Sequence, residues 1–331
     1  MKRKVAVVGA TGLVGRMMLK VLEERHFPVS ELVPFASAKS AGTTIEFCGN
    51  KLTVVELNEQ NIKAAGVHYA LFSAGGDVSK RYAPVFAACG AVVIDNSSCW
   101  RMDKNVPLVV PEVNPEAAFK HNGIIANPNC STIQAVVALK PLHDKFKIKR
   151  IVYSTYQAVS GAGRQGLDDL AGGLNGMAPK KFPYPIAGNC LPHIDVFEED
   201  GYTKEEHKMI NETRKILCDD TLKITATTVR VPVTYGHSES INIEFARPVT
   251  RKSAMDALAS APGVVLCDNV ASNTYPMPIF AEGKDEVFVG RVREDKSVEN
   301  GLNIWVVADN IRKGAATNAV QIAELLHANG K

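Results

Sequence analysis

Hydrophobic and polar residues follow one another in two different patterns along the chain. In the first part, short apolar runs alternate with amphipathic helical segments, and the third and fourth runs end in small polar residues. The apolar runs lie at residues 4–8, 31–36, 67–76, 91–98 and 123–126. Buried strands that alternate with helices predict a parallel sheet, in which ligands bind at the carboxyl ends of the strands.

From residue 150 onward the pattern changes to longer segments in which apolar and polar residues alternate. These segments lie at residues 151–160, 222–231, 239–245, 287–293 and 302–308. Alternation with a period of two predicts strands with one covered face, as in an antiparallel sheet. The stretch 170–190, rich in glycine, proline and alanine, is predicted to be a loop, and a capping box at Thr203 and Glu206 predicts the start of a helix.

These patterns predict an α/β protein of two domains, for which 331 residues provide enough core. Residues 1–127 form the first domain, and a C-terminal helix at 310–331 completes it because the apolar face of that helix needs a partner. Residues 128–309 form a second, α+β domain built on a mostly antiparallel sheet.

Composition excludes several classes of protein. The net charge is only +3 and no long basic run occurs, so we expect no nucleic-acid partner. Seven scattered cysteines form neither a disulfide framework nor a metal pattern, which favours a reducing, cytoplasmic setting without a bound metal. The N-terminal apolar stretch is broken by Gly9, Gly12 and Gly15, so it predicts neither a signal peptide nor a membrane span.

The same three glycines form a Gly-x-x-Gly-x-x-Gly variant of the dinucleotide-binding fingerprint. They lie between the predicted strand 4–8 and a predicted helix at 16–25. Glycines allow a tight turn and a close approach of the backbone to a pyrophosphate, whose charge the helix N-terminus stabilises. The pattern therefore predicts a Rossmann-like domain; the alternative is a glycine-rich turn in another kind of α/β protein.

The end of the second predicted strand indicates which dinucleotide binds. A site specific for NAD usually has an acidic residue there, whereas residues 36–42 contain Ser37, Lys39 and Ser40 and no carboxylate. Two hydroxyls and an amine suit a 2′-phosphate, so we expect NADP; the alternative is a plain polar loop. Ser73 and Gly75, at the end of a later strand, should also face the cofactor.

Cys130 lies where an apolar run passes into a predicted helix at 133–139. Backbone N–H groups at a helix N-terminus lower the pKa of a thiol and can hold an oxyanion formed when the sulfur attacks a carbonyl. A nearby histidine would form a thiolate–imidazolium pair, and His237 in a glycine-containing turn is the candidate. The alternative for Cys130 is a buried structural cysteine.

Several charged residues are candidates for binding an anionic substrate. Arg101, on a loop at the ligand edge, and Arg230, at a strand end, suit a phosphate or a carboxylate. Glu205 and Lys208 are three residues apart on a predicted helix and are therefore neighbours. The alternatives are a solvated loop arginine and an ordinary surface ion pair.

Taken together, the motifs resemble the aspartate-semialdehyde dehydrogenase family over essentially the whole chain. The matching stretches are residues 9–15, 95–101, 110–114, 127–132, 156–161, 230–233 with His237, and 309–315. Several independent motifs in the same order are far more specific than any single one. Cys99 stands where the family more often has alanine or phenylalanine, and we attach no function to it.

The resemblance implies a role for each matching residue. Cys130 is the nucleophile, His237 the general acid/base, and Gln157 orients the substrate. The implied substrate-binding residues are Arg101 and Lys208 for the phosphate, Arg230 for the α-carboxylate and Glu205 for the α-amine, together with Asn129, to which no particular group is assigned. The implied cofactor-binding residues are Gly9, Thr11, Gly12, Leu13, Val14, Ser37, Ser40, Ser73, Gly75, Ser160, Gly161 and Asn318.

The resemblance also implies the reaction. It is the NADPH-dependent reduction of L-aspartyl-4-phosphate to L-aspartate-4-semialdehyde through a Cys130 thioester, in the biosynthesis of lysine, methionine, threonine and diaminopimelate. The family implies a homodimer or homotetramer paired through the second domain. One alternative, N-acetyl-glutamyl-phosphate reductase, has a substrate without the free amine that Glu205 would bind. Another is a non-catalytic NADP-binding sensor.

Overall fold

The structure, a computed structural model, describes residues 2–330. The strands are β1 (Arg3–Val8), β2 (Val29–Ala36), β3 (Thr44–Phe47), β4 (Asn50–Thr53), β5 (Val55–Glu56), β6 (Tyr69–Phe72), β7 (Val92–Asp95), β8 (Ile124–Ala126), β9 (Ile148–Gln157), β10 (Lys223–Arg230), β11 (His237–Phe245), β12 (Val264–Leu266), β13 (Val287–Asp295) and β14 (Gly301–Ala308). The α-helices are α1 (Leu13–Glu24), α2 (Glu59–Ala65), α3 (Gly76–Ala88), α4 (Cys130–Phe146), α5 (Arg164–Gly173), α6 (Lys204–Leu217), α7 (Arg251–Ala259), α8 (Pro278–Ala281) and α9 (Asn318–Ala328).

The chain divides into two compact units. One comprises the residues up to Pro128 together with those from Ala315 onward, and the other comprises Asn129–Gly314. Helix α9 belongs to the first unit, where Arg25, the residue directly after α1, and Glu324 on α9 form an ion pair of 2.7 Å. The C-terminal helix predicted from residue 310 is preceded by a π-helical turn, Arg312–Thr317, so the α-helix begins only at Asn318.

The first unit contains the predicted parallel sheet. Its strands lie in the order β5-β2-β1-β6-β7-β8, and every neighbouring pair is parallel. Strand β1 is central and almost wholly buried, which explains why its sequence is a continuous β-branched run rather than an alternating one. The prediction of a Rossmann-like domain is confirmed. The hairpin of β3 and β4, which follows the loop at residues 37–43, was missed because its short strands alternate or are largely exposed and so lack the continuous apolar run of the buried strands.

The second unit contains a mixed sheet in the order β10-β9-β11-β14-β13-β12. The three central pairs are antiparallel, as predicted, but β9 with β10 and β12 with β13 are parallel. The chain between β9 and β10 contains α5 and α6, which return it to the same end of the sheet, so a parallel pairing results. The loop predicted at 170–190 is wrong at its start, because α5 continues to Gly173.

Strand register brings the functional candidates of the second unit to one edge of this sheet. Arg230 pairs with Gln157, and Ser238 pairs with Tyr156, so the ends of β10, β9 and β11 lie side by side. Gln157 is buried whereas Tyr156 is exposed, as the period of two requires. Helices α4 and α6 pack against the buried face of the sheet and against each other.

Candidate active site

Cys130 is the first residue of α4, and Asn129 caps that helix. The Asn129 side-chain oxygen accepts hydrogen bonds from the backbone N–H groups of Ser131, at 3.0 Å, and Thr132, at 3.3 Å. The cap holds the start of the helix, and hence Cys130, in place. It also accepts from two N–H groups at this helix start, so both already have a partner within the protein, and the oxyanion role expected of the helix N-terminus stays a prediction.

His237, the first residue of β11, lies next to Cys130. Its Nε2 is 3.2 Å from the Cys130 Sγ, and its Nδ1 accepts a hydrogen bond of 2.9 Å from the backbone N–H of Ala158. Because Nδ1 is an acceptor, the neutral ring carries its proton on Nε2, which faces the sulfur. Complete burial and the nearby Arg230 both lower the pKa of His237 well below its ordinary value.

These observations correct the expected thiolate–imidazolium pair. An imidazolium would need a second proton on Nδ1, directed at the N–H of Ala158. The geometry instead fits a neutral imidazole that donates its Nε2–H to the sulfur of Cys130. Such a donor stabilises a thiolate. It also lies beside the Cys130 sulfur, to which a carbon atom attacked by that sulfur would be attached.

Two glycines leave the room that these side chains occupy. A Cβ on Gly161 would lie 2.8 Å from Nη1 of Arg230 and 3.3 Å from Cε1 of His237. A Cβ on Gly314 would lie 2.9 Å from the Cβ of Cys130. Gly314 belongs to the family motif at residues 309–315, but no role was predicted for it. Its position in that motif was the one sign in the sequence that it matters.

Arg230 is 6 % exposed and is held from several sides. Its Nη1 donates to the carbonyl of Ala158 at 2.7 Å, and its backbone forms a two-way bridge with Leu191. Within residues 2–330, its Nε is buried without a hydrogen-bond partner. A buried guanidinium with an unused N–H is suited to an anion that arrives with the substrate.

Glu205 lies at the centre of a buried polar network rather than in a surface pair. One of its oxygens accepts from Asn129, at 2.9 Å, and from Gln157, at 3.2 Å, while the other accepts from Lys208 at 3.1 Å. Burial would raise the pKa of Glu205, but Lys208 and the Asn129 amide outweigh it and keep the pKa low. Glu205 is therefore an ionised carboxylate, and Lys208, which also pairs with Asp195 at 2.7 Å, is a partly buried cation.

Glu239, which the sequence analysis missed, is buried directly below this edge of the sheet. It pairs in register with Thr155. On β9, Thr155 lies two residues before Gln157, and on β11, Glu239 lies two residues after His237. Neither of its carboxyl oxygens has a hydrogen-bond partner in the part of the chain that the structure describes. Complete burial, together with Glu205, raises the pKa of Glu239 well above its ordinary value, so it is a neutral acid.

The predicted nucleotide turn of the first unit has the shape that its glycines imply. Gly9 has a φ of 82°, and a Cβ there would lie 2.4 Å from the carbonyl oxygen of Ser73. A Cβ on Gly15 would lie 2.1 Å from the carbonyl oxygen of Gly9. Only glycine fits at either position, and the closely packed turn that results is called the glycine cradle below.

The other cofactor candidates of the first unit remain accessible. Thr11, Gly12, Leu13 and Val14 form the turn and the start of α1, and all are at least partly exposed. Ser73 is partly exposed and Gly75 exposed, just beyond β6; Ser37 and Lys39 are exposed and Ser40 partly so, beyond β2. Glu56, which pairs with Ala36 at the end of β2, is also exposed, and it was not among the predicted cofactor-binding residues.

Other predicted residues are tied into the protein itself. Arg101 is buried, and it donates to the carbonyls of Asn127, at 3.0 Å, and Asn96, at 2.8 Å, so it is not a solvated loop charge. Asn318 is fully buried and donates to the Val109 carbonyl at 3.0 Å. Ser160, in the second unit, accepts a hydrogen bond of 3.0 Å from Asn310. The substrate role of Arg101 and the cofactor roles of Asn318 and Ser160 stay predictions.

Within residues 2–330, no helix is both long and apolar enough to cross a membrane. In the same part of the chain, no group of three or more histidine, cysteine, aspartate or glutamate side chains could hold a metal ion.

Comparison with known proteins assigns both units. Residues 4–121 match the family description "Semialdehyde dehydrogenase, NAD binding domain", and residues 139–313 match "Semialdehyde dehydrogenase, dimerisation domain". A protein of Aquifex aeolicus named aspartate-semialdehyde dehydrogenase is 61% identical over 99% of this chain and 98% of its own length.

Solved structures agree with this assignment. The crystal structure of aspartate semialdehyde dehydrogenase II from Vibrio cholerae has a TM-score of 0.96 and 51% identity, with both chains fully covered. The same enzyme complexed with ASA has a TM-score of 0.96 and 50% identity, again with both chains fully covered. The Candida albicans enzyme with NADP has a TM-score of 0.78 and 27% identity, with 99% of each chain covered.

A glycine cradle in a nucleotide-binding unit and a cysteine–histidine pair in a mixed-sheet unit define a semialdehyde dehydrogenase, an oxidoreductase with an NAD(P)-binding domain. The extent and identity of the matches narrow this class. The chain belongs to the aspartate-semialdehyde dehydrogenase family. The match to a dimerisation domain supports oligomerisation.

Proposed function

We propose that the protein reduces L-aspartyl-4-phosphate to L-aspartate-4-semialdehyde, with NADPH as the reductant. The observation that carries this proposal is the Cys130–His237 pair, whose Sγ and Nε2 are 3.2 Å apart, in one site with the buried cation of Arg230 and the buried carboxylate of Glu205. The substrate carries an α-carboxylate and an α-amine in addition to its acyl phosphate. Arg230 and Glu205 offer the opposite charge to each of these two groups.

Cys130 carries the covalent step. Its sulfur bonds to the carbonyl carbon of the acyl phosphate, the bond from that carbon to the phosphate oxygen breaks, and phosphate leaves a thioester behind. When bound, NADPH supplies a hydride. His237 holds a proton on Nε2 beside the sulfur, where it stabilises negative charge on the oxygen of the attached carbon. The sulfur then leaves as a thiolate and again accepts the Nε2–H.

The network around Glu205 positions the substrate. Asn129 and Gln157 both donate to one oxygen of Glu205, so an arriving ammonium group would exchange with or join these donors. A substrate with an acetylated amine would bring no positive charge and would leave the carboxylate of Glu205 without a cationic substrate partner. For that reason the N-acetyl-glutamyl-phosphate reductase alternative is not favoured.

A direct assay tests the reaction. In the reverse direction, aspartate semialdehyde and phosphate together should reduce NADP, and omission of phosphate should stop the reaction because the thioester then has no acceptor. N-acetyl-glutamate semialdehyde at the same concentrations serves as the matched substrate. A faster rate with that compound, or no turnover with either, would contradict the proposed function.

The cofactor loop gives a second prediction. Ser37 and Ser40 are accessible at the end of β2, and residues 36–42 contain no carboxylate, so NADP should give a higher kcat/KM than NAD. Ser37→Asp should shift the preference towards NAD, because the new charge repels a 2′-phosphate. Ser30→Asp, on an exposed position of the same strand, is the control. Equal kcat/KM with both cofactors in the unmodified protein would contradict the assignment.

The two buried arginines should hold different anions. An arginine fork binds an anion through two N–H groups, whereas lysine offers only a point charge, so Arg→Lys should weaken binding at both positions. Arg101→Lys should mainly raise the KM for phosphate in the reverse reaction, and Arg230→Lys mainly the KM for the semialdehyde. Arg230→Lys should also lower kcat, because the carboxylate contact helps to place the carbonyl at Cys130. The opposite pattern would show that the two anion sites are interchanged.

We infer that two copies of the chain pair through the face of the mixed sheet that carries Tyr156 and Trp305. Tyr156 is 38 % exposed, its ring lies 5.5 Å from that of Trp305, and both line a cavity of about 540 Å³ with Tyr275 and Met277. Aromatic and methionine side chains that are exposed or partly exposed, like these, are typical of interface cores. Sedimentation equilibrium should give the mass of a dimer, or of a tetramer of paired dimers, and a monomer would contradict the inference.

We also propose a cytoplasmic location. Within residues 2–330 no disulfide joins any of the seven cysteines, and thiols stay reduced in a reducing compartment such as the cytoplasm. Fractionation of the source cells, followed by the NADP-reduction assay, checks this proposal.

A further inference from the structure

Asp169 on α5 holds a turn that is more than ten residues away along the chain. Its Oδ1 accepts the backbone N–H of Lys180 at 2.8 Å, and its Oδ2 accepts those of Lys181, at 2.7 Å, and Phe182, at 2.9 Å. The carboxyl group is only 6 % exposed, although both lysines are exposed. One buried side chain thus satisfies three consecutive backbone donors of an otherwise irregular segment.

The held turn carries Phe182 into a small hydrophobic cluster. The cluster contains Leu170, which is the residue after Asp169, together with Val159, Ile186 and Leu191, and Phe182 packs against it. Val159 follows Ala158, whose carbonyl accepts a hydrogen bond from Nη1 of Arg230. The cluster therefore contacts the same segment of chain that holds Arg230.

Phe182 also contacts Arg230 directly. The guanidinium carbon of Arg230 lies 5.8 Å from the centre of the Phe182 ring, within the range of a cation–π interaction. Leu191, another member of the cluster, exchanges two backbone hydrogen bonds with Arg230, of 2.8 and 2.9 Å. The guanidinium is thus fixed by Ala158 at one edge and bounded by an aromatic ring, while its Nε has no partner within the described chain.

We propose that Asp169 is a positioning residue for substrate recognition: by fixing the backbone of residues 180–182 it sets Phe182 against Arg230, and so fixes the direction in which the guanidinium meets the substrate carboxylate. This inference rests on the proposed function, because it assumes that Arg230 binds that carboxylate. Three N–H donors converge on the carboxylate and keep the pKa of Asp169 low although burial opposes this. An asparagine would place its own N–H₂ against one or more of those donors.

Asp169→Asn is the first test, and Asp168→Asn is its matched control. Asp168 is the neighbouring residue on the same helix, but its side chain is 58% exposed and pairs with Arg164 one turn earlier. We expect Asp169→Asn to raise the KM for the semialdehyde about tenfold, since small misplacements of a positioning group are costly, with little change in the KM for phosphate or NADP. Asp168→Asn should leave all three KM values unchanged.

The held turn can be observed independently of activity. Lys180 and Lys181 are exposed, so only the order of their backbone protects the two bonds from trypsin. Asp169→Asn should speed cleavage after these lysines, whereas Asp168→Asn should not. Equal cleavage rates in the variant and the wild type would overturn the proposal, because the carboxylate would then not be ordering the turn.

Phe182→Leu provides a second variant in case Asp169→Asn does not fold. It keeps an apolar side chain for the cluster but removes the ring from Arg230, so the KM for the semialdehyde should rise without faster cleavage at the lysines. If both variants leave that KM unchanged while Arg230→Lys raises it, the positioning role is refuted and the proposed function stands. If Arg230→Lys also has no effect, the assignment of the carboxylate site has failed instead.

Discussion

Cys130→Ser is expected to lower kcat by about four orders of magnitude or more, because a serine hydroxyl is a far weaker nucleophile than a thiolate near neutral pH. The sulfur lies at the start of α4 and 3.2 Å from His237, so an oxygen in its place would keep the position but lose the reactivity. NADP binding should be retained, because the glycine turn that we assign to the cofactor belongs to the other unit. Steady-state kinetics and NADP titration by fluorescence measure the two effects separately.

Cys99→Ser is the control for this substitution. Cys99 is partly buried, and burial together with Asp95 raises the pKa of its thiol, which makes it a poor nucleophile. It should therefore keep nearly full activity. Mass spectrometry after rapid quenching with acyl phosphate should locate the acyl group on Cys130. An acyl group on Cys99 or on the exposed Cys190 would refute the assignment.

His237→Gln is expected to lower kcat by about 10²- to 10⁴-fold, the usual contribution of a general acid or base. Glutamine can direct an N–H towards the sulfur, as Nε2 of His237 does at 3.2 Å, but it cannot exchange a proton. The loss in this variant therefore measures what the imidazole contributes beyond that hydrogen bond, whereas His237→Leu also removes the hydrogen bond and should lose more. His207→Gln is the control, since that histidine pairs with Asp200 on the surface.

The pH profile of the unmodified enzyme adds to this prediction. The ordinary pKa of histidine is 6.5. Because burial and Arg230 lower the pKa of His237, its imidazole stays neutral well below that pH. Activity that depends on the neutral ring should fall only as the pH drops through this lowered pKa. An acidic limb of kcat/KM at or above pH 6.5 that disappears in His237→Gln would contradict a neutral resting histidine. Equal activity of His237→Gln and the wild type would exclude an acid/base role.

Local sequence was sufficient for the elements that have a strong period or a constrained backbone. The β-branched run at β1 and the three glycines after it predicted the nucleotide turn, and the structure shows that Gly9 and Gly15 have no room for a Cβ. Alternation along β9 and β11 predicted their buried and exposed faces. Both signals are local because they depend on successive side chains or on a single backbone conformation. The position of Cys130 at a helix start was predictable for the same reason.

The sequence alone predicted the structure less well where strand direction or a helix boundary depends on how the chain connects two elements. Strand alternation does not tell a parallel from an antiparallel neighbour, so the parallel edges of the mixed sheet were missed. The helix expected from residue 310 begins later, because a π-helical turn brings Gly314 against Cys130. The family resemblance named many candidate residues, but it did not show their protonation states.

Tertiary structure alone decided the chemistry of the candidate site. Cys130 and His237 are 107 residues apart in sequence, and only the pairing of β9 with β11 and the packing of α4 bring them together. The backbone of Ala158 then selects the tautomer of His237. Burial separates two carboxyl groups that look alike in the sequence: Glu205 is ionised by its contacts with Lys208 and Asn129, whereas Glu239, without such partners, stays neutral. Charge in a protein interior depends on the solvation and hydrogen bonds that the fold provides, and residue identity does not contain that information.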